Sequence, residues 1–194
     1  MTEVRLTRRD IEAAFGELGE VARSAGKVVD VAVYGGAAMI LTFPARPATR
    51  DVDAVVRGDA SFLRDAVASI ARSRGWSDRW LNDAVKGFLS ERDPQSVTLF
   101  RSYPSEAAPG LRVFLAQPEY LLAMKCIAMR VSEAESSPDR DDIKALLRHL
   151  GLRTVDQILD VIARYYPHNL IRPKTQFGVE EIIGELQEEA RDGR

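Results

Sequence analysis

Read as a pattern of apolar and polar positions, the chain changes rhythm partway along. In the first part, helical and strand periods alternate. Ile11, Phe15, Leu18 and Val21 recur at helical spacing, so residues 8–25 are expected to form an amphipathic helix. Thr7 followed by Asp10 resembles a capping box at its start, and Gly26 ends it. Val28 to Tyr34 is rich in β-branched residues and reads as a strand, which Gly35-Gly36 breaks. Ala37 to Phe43 reads as a short apolar helix, and Pro44 and Pro47 mark a loop. Asp51 to Val56 reads as a second strand, with Val52, Ala54 and Val56 on one face and Asp51, Asp53 and Val55 on the other. Residues 59–74 again show a helical period through Phe62, Leu63, Val67 and Ile70, whereas Gly75 to Pro94, holding Trp76 and Trp80, follows neither period. Val97 to Tyr103 and Leu111 to Leu115 read as the strands of a hairpin.

From Pro118 the pattern is helical alone. Helices are expected at about 118–133, 140–150, 154–165 and 179–190, with Ser132 to Pro138 as a polar linker. No internal repeat or low-complexity run interrupts this order. A mixed part followed by an all-helical part predicts an α+β fold. The expected architecture is a small mixed sheet with flanking helices at residues 1–116, then a helical region at 117–194 that completes the active site.

Composition narrows the classes. Of 194 residues, 45% are hydrophobic, enough for a packed core. Acidic and basic residues nearly cancel, 29 against 27, which argues against a globally basic duplex-binding protein but leaves room for a local basic face. Arg far outnumbers Lys. The forked guanidinium suits phosphate, although a bias in genome composition gives the same excess. The single cysteine, Cys126, excludes an internal disulfide and reads as a buried small hydrophobe in an apolar helical run. The charged start lacks the apolar core of a signal peptide, and no apolar run approaches membrane-spanning length, so a cytoplasmic location without membrane contact is expected. His149 and His168 are isolated and show no metal-ligand spacing.

The chemistry concentrates in VYGGAAMILTFPARPATRDVDAVV, residues 33–56. Gly35 and Gly36 would let backbone N–H groups approach a triphosphate, because no Cβ intervenes. The helix that follows would aim its positive end at the anion. Asp51 and Asp53, two apart on a strand, would point to one side and offer hard oxygen ligands to Mg²⁺ or Mn²⁺. Each piece alone has a plainer reading: a turn for Gly-Gly, a solvated strand face for Asp-x-Asp. The ordered combination is more specific.

That order resembles the signature of the polymerase β-like nucleotidyltransferases, and Thr49-Arg50-Asp51-Val52-Asp53 is similar to the form found in small bacterial members. LRVFLAQPEYLLAMKCIAMR (111–130) and PDRDDIKALL (138–147) look like the lysine helix and the Asp-x-x-Asp helix of the AbiEii/MenT-like group, which includes toxins of abortive-infection and toxin–antitoxin systems. A weaker likeness continues through Tyr165-Tyr166-Pro167.

The resemblance implies a metal-dependent enzyme that moves a nucleoside monophosphate from a nucleoside triphosphate to an acceptor hydroxyl. A tRNA 3′ end or another RNA is the implied acceptor, a protein side chain the other one, and a cognate antitoxin protein an implied partner. It assigns the metal to Asp51 and Asp53, nucleotide binding to Gly35, Gly36, Thr49 and Arg50, and the phosphates to Lys125. Asp139 and Asp142 match the acidic pair of the last motif. Asp139 is favoured for the active site, Asp142 as an anchor, and Asp141 stays open.

Local readings compete. Lys125 in an apolar run could snorkel outward, and Asp139 near a helix start suits capping and the helix dipole alone. Arg46, Arg50 and Arg130 could hold phosphate or RNA, or simply lie on the surface. One departure stands out: many relatives carry a third carboxylate on a later strand, and Leu111 to Leu115 offers none. A catalytically inactive nucleotide-binding or interaction module on the same fold is therefore the alternative.

Overall fold

The computed structural model describes residues 4–43, 46–58, 61–129 and 137–192. The chain forms two compact units, one running up to Gly87 together with Val97–Ala116, the other comprising Phe88–Ser96 together with the residues from Gln117 onward. The architecture is α+β, with a mixed sheet and flanking helices in the first unit and helices in the second.

The first unit contains β1 (Leu6–Thr7), α1 (Arg8–Ser24), β2 (Val29–Val33), α2 (Gly35–Thr42), β3 (Ala48–Thr49), β4 (Val52–Arg57), α3 (Leu63–Arg74), β5 (Leu81–Asn82), β6 (Val97–Pro104) and β7 (Pro109–Ala116). Five strands form one sheet in the order β5-β4-β2-β7-β6. The β4–β2 and β6–β7 pairs are antiparallel, β2–β7 and β5–β4 parallel. Register aligns Val31 with Val56 and Val113, and Val33 with Ala54 and Leu115, so these small apolar side chains share one face. The core on that face includes Phe15 and Leu18 of α1 and Leu63 of α3. Full burial of a Phe or Leu contributes roughly 1.5–3 kcal/mol.

The helix α1 lies close on the hairpin. A Cβ on Gly110 would fall 2.0 Å from the Gly19 carbonyl oxygen, and one on Gly19 would fall 2.6 Å from that of Tyr103. The capping box expected at Thr7 is present, the Asp10 N–H donating to Thr7 Oγ1 at 3.3 Å and the Thr7 N–H donating to Asp10 Oδ2 at 2.9 Å.

The second unit contains α4 (Pro118–Ala128), α5 (Pro138–Leu150), α6 (Val155–Tyr165) and α7 (Pro173–Asp192). Ser137 caps α5, and Thr154 with Gln157 forms a capping box on α6. Along α5, Arg140, Lys144 and Arg148 recur every four residues, as do Glu181, Glu185 and Glu189 along α7, and the two rows interlock as ion pairs. Phe88–Ser96 is tied to these helices by hydrogen bonds. The Ser90 N–H donates to the Tyr120 hydroxyl at 2.9 Å, Ser90 Oγ to the Tyr165 carbonyl at 2.5 Å, and the Tyr166 hydroxyl to the Phe88 carbonyl at 2.5 Å.

Several boundaries differ from the expectation. Gly35 and Gly36 form the first turn of α2 rather than a break before it. The strand β4 starts at Val52, leaving Asp51 one residue outside the ladder. The last helix starts at Pro173, not at 179, because proline's fixed φ and missing N–H suit a first turn. The fourth helix ends at Ala128; Arg130 and most of the expected linker, residues 130–136, lie outside the described residues. Among the described residues, no helix is long and apolar enough to cross a membrane.

Candidate active site

The site builds from the end of β2. Tyr34 is extended, and its N–H donates to the Asp53 carbonyl at 2.9 Å, continuing the β2–β4 ladder by one rung. The chain then turns into α2 through Gly35, whose φ of +57° favours glycine. A Cβ at Gly35 would lie 2.5 Å from Asp53 Oδ2. A Cβ at Gly36 would lie 2.6 Å from Thr49 Oγ1 and 2.9 Å from the Arg46 guanidinium carbon. The two glycines therefore make room for three polar side chains at the start of a helix that has no side-chain cap of its own.

Local structure sets those side chains. Asp53 sits within β4, on the opposite face from the buried Val52 and Ala54. Thr49 is 4% exposed and paired with Leu6 in the β1–β3 ladder, which fixes its backbone beside α2. Arg46 Nε donates to the Ala48 carbonyl at 3.3 Å, turning its guanidinium back toward the helix start. Arg50, by contrast, is exposed in the bend between β3 and β4.

Asp51 lies in the same bend region, just before β4. Its Oδ2 accepts a hydrogen bond from Asn82 Nδ2 at 3.0 Å. Asn82 stands opposite Asp53 in the parallel β4–β5 pairing, and β5 is anchored by Trp80, which is fully buried and donates through Nε1 to the Val67 carbonyl at 3.1 Å. Asn82 carries no signal in the sequence. It falls in the stretch without periodicity, and a two-residue strand is too short to show one.

The remaining assigned residues gather within the helical unit. Lys125 is 7% exposed, so it does not snorkel. Its Nζ donates to Asp139 Oδ1 at 2.8 Å and lies 2.8 Å from Asp142 Oδ2. The two carboxylates differ in setting: the Asp142 side chain is 4% exposed and the Asp139 side chain 59%. Ser137, not Asp139, is the N-cap of α5. Asp141 is exposed on the same helix. Cys126 is fully buried, and burial pushes its thiol up to about 12, which leaves it no nucleophilic role near neutral pH.

Two carboxylates two residues apart, one held by an amide and one set against a glycine, suit a hard divalent cation that also keeps oxygen ligands from solvent or phosphate. Among the described residues, no three His, Cys, Asp or Glu side chains converge as a self-sufficient metal cage. The strand β7 carries no acidic residue. Asp30, on the neighbouring β2, is engaged by Arg112 at 2.6 and 2.8 Å.

No protein-family model matches the chain. None of the curated proteins matches it either. Among solved structures, the chain is similar to an antigenic nucleotidyltransferase-like protein from Paracoccidioides brasiliensis, at 18% identity and a TM-score of 0.44, over 91% of this chain and 95% of that one.

Proposed function

We propose that this chain is a metal-dependent nucleotidyltransferase, moving a nucleoside monophosphate from a nucleoside triphosphate to an acceptor hydroxyl. The observation that carries the reading is the packing of Asp53 against Gly35 and of Thr49 and Arg46 against Gly36, at the start of α2. A helix start with close backbone access and an adjacent guanidinium suits a polyphosphate. Carboxylates beside it suit the cation that accompanies one.

Asp51 and Asp53 would hold Mg²⁺ or Mn²⁺, which supplies charge neutralisation at the phosphates and acidifies the acceptor hydroxyl. In the transfer, the acceptor oxygen bonds to the α-phosphorus and the bond from that phosphorus to its bridging oxygen breaks. Pyrophosphate leaves with the electron pair, and the hydroxyl proton passes to water. Gly35, Gly36, Thr49 and Arg46 orient the triphosphate, with Arg50 at the rim. The resemblance to AbiEii/MenT-like proteins adds Lys125 as a phosphate ligand, Asp139 as the acidic member of the last motif, and tRNA or another RNA as acceptor. Within the helical unit Lys125 is already paired, so a phosphate that takes it must compete with Asp139, its exposed partner. The same resemblance extends the proposal to a toxin held in check by a cognate antitoxin.

The test is incubation with α-labelled nucleoside triphosphates, Mg²⁺ and total RNA. Label is expected to move to RNA with the native chain and not with Asp51→Ala plus Asp53→Ala. Label transfer undiminished by the double substitution would remove the site from the reaction. For the toxin role, expression alone should arrest growth, and Asp51→Ala should abolish the arrest.

A second reading has its own observation. The absence of an acidic residue on β7, and of any cluster of three His, Cys, Asp or Glu side chains among the described residues, fits a fold that binds nucleotide without turnover. Calorimetry with a triphosphate and Mg²⁺ beside the labelling assay separates the two: binding without transfer supports the module, and transfer eliminates it.

A further inference from the structure

We infer that Asn82 is the positioning residue of the cation site, holding Asp51 in the orientation from which it binds metal. The inference rests on the proposed role of Asp51 and Asp53 and goes beyond it, because no sequence motif includes Asn82.

Asp53 lies within β4, paired with Asn82 of β5 on one side and accepting the Tyr34 N–H at its carbonyl on the other, which fixes its backbone. Asp51 does not. It precedes β4, so strand geometry alone does not dictate where its carboxylate points. The Val52 N–H donates to the Trp80 carbonyl at 2.6 Å, which brings β5 alongside this exit. Asn82 then closes the gap. Its Oδ1 accepts the Ala84 N–H at 2.9 Å, and its Nδ2 donates to Asp51 Oδ2 at 3.0 Å.

The identity of the side chain matters. A backbone N–H can only donate, so the amide oxygen must face Ala84 and the amide nitrogen must face Asp51. Asparagine meets both demands at once. Aspartate in its place would set an acceptor against a carboxylate, and leucine would keep the size and lose both bonds. Groups that hydrogen-bond a metal ligand in this way typically change metal affinity by roughly 10–100-fold when removed. Asn82 would touch neither nucleotide nor metal, so it acts through Asp51.

The test measures Mn²⁺ binding by electron paramagnetic resonance, without nucleotide turnover. Native protein, Asn82→Ala, Asn82→Leu, Asp51→Asn and Asp53→Asn are compared, each with a thermal melt. Asn82→Ala and Asn82→Leu are expected to weaken Mn²⁺ binding about tenfold or more, with native-like melts, while the Asp variants lose it. Unchanged affinity in both Asn82 variants, with loss in the Asp variants, would overturn the positioning role and leave the metal site standing. Binding that ignores the Asp substitutions would overturn the site itself, and this inference with it. Should the Asn82 variants fold poorly, nuclear magnetic resonance of the native chain decides: the Asn82 side-chain amide signals should shift saturably on Mg²⁺ titration. Signals that stay put while Mg²⁺ binds would contradict the role.

Discussion

At the scale of single residues, a missing Cβ shapes the candidate site. Gly35 combines a left-handed backbone with an Asp53 carboxylate oxygen 2.5 Å from where a methyl would sit. Gly35→Ala is therefore expected to cost about 1–2 kcal/mol in stability from backbone strain and to displace Asp53. Misplacement by an ångström can cost about 100-fold in rate, so transfer should fall far more than a denaturant midpoint does. Matched denaturation and transfer assays check both. Lys125 offers a second contrast. Removing its buried partner, Asp142→Ala, should destabilise by about 3–5 kcal/mol, since a buried ammonium is left poorly compensated. Asp139→Ala, at an exposed carboxylate, should cost about 0–1 kcal/mol. Urea melts of the two variants test this directly, and comparable losses would contradict the division of roles.

Elements show where the sequence was legible and where it was not. The amphipathic period and capping signal of α1 needed only local residues, and both appear in the structure. The hairpin of β6 and β7 was legible for the same reason. The start of α2 was not, because glycine's poor helix propensity hides a first turn whose role is close approach rather than helix stability. Phe88–Ser96 was equally hidden: it joins the helical unit through Tyr120, Tyr165 and Tyr166, contacts that are remote in sequence. Tyr166→Phe removes one of those bonds and should cost about 1 kcal/mol by thermal or chemical denaturation. The Gly-Gly and Asp-x-Asp segments were visible as motifs, but Asn82 was not, since its part depends on a pairing that no spacing reveals.

The capping box of α1 also makes a pH-dependent contribution. Hydrogen bonds from the Thr7 hydroxyl and backbone N–H hold the Asp10 carboxyl below the usual carboxylate range. A group depressed in the folded state stabilises above its unfolded pKa, near pH 4, and that contribution fades as the pH falls through the folded value. Asp10→Ala should cost roughly 0.3–1.5 kcal/mol at pH 7. The difference from the native chain should shrink in acid below about pH 4. Melts across that range check the sign, and a difference that grows in acid would contradict it.

For the whole molecule, the proposed function calls for a cation and a triphosphate at one spot in the sheet-bearing unit. Acidic and basic residues nearly balance over the chain, so overall charge does not select the ligand, and selection falls to local geometry. The most direct measurement is a crystal structure with Mn²⁺ and a non-hydrolysable nucleoside triphosphate, read by anomalous scattering. A manganese peak is expected on the Asp51 and Asp53 carboxylates, with phosphate oxygens against the N–H groups of Gly35 and Gly36. Nucleotide bound elsewhere, or manganese absent from those carboxylates while the triphosphate is bound, would contradict the proposed function.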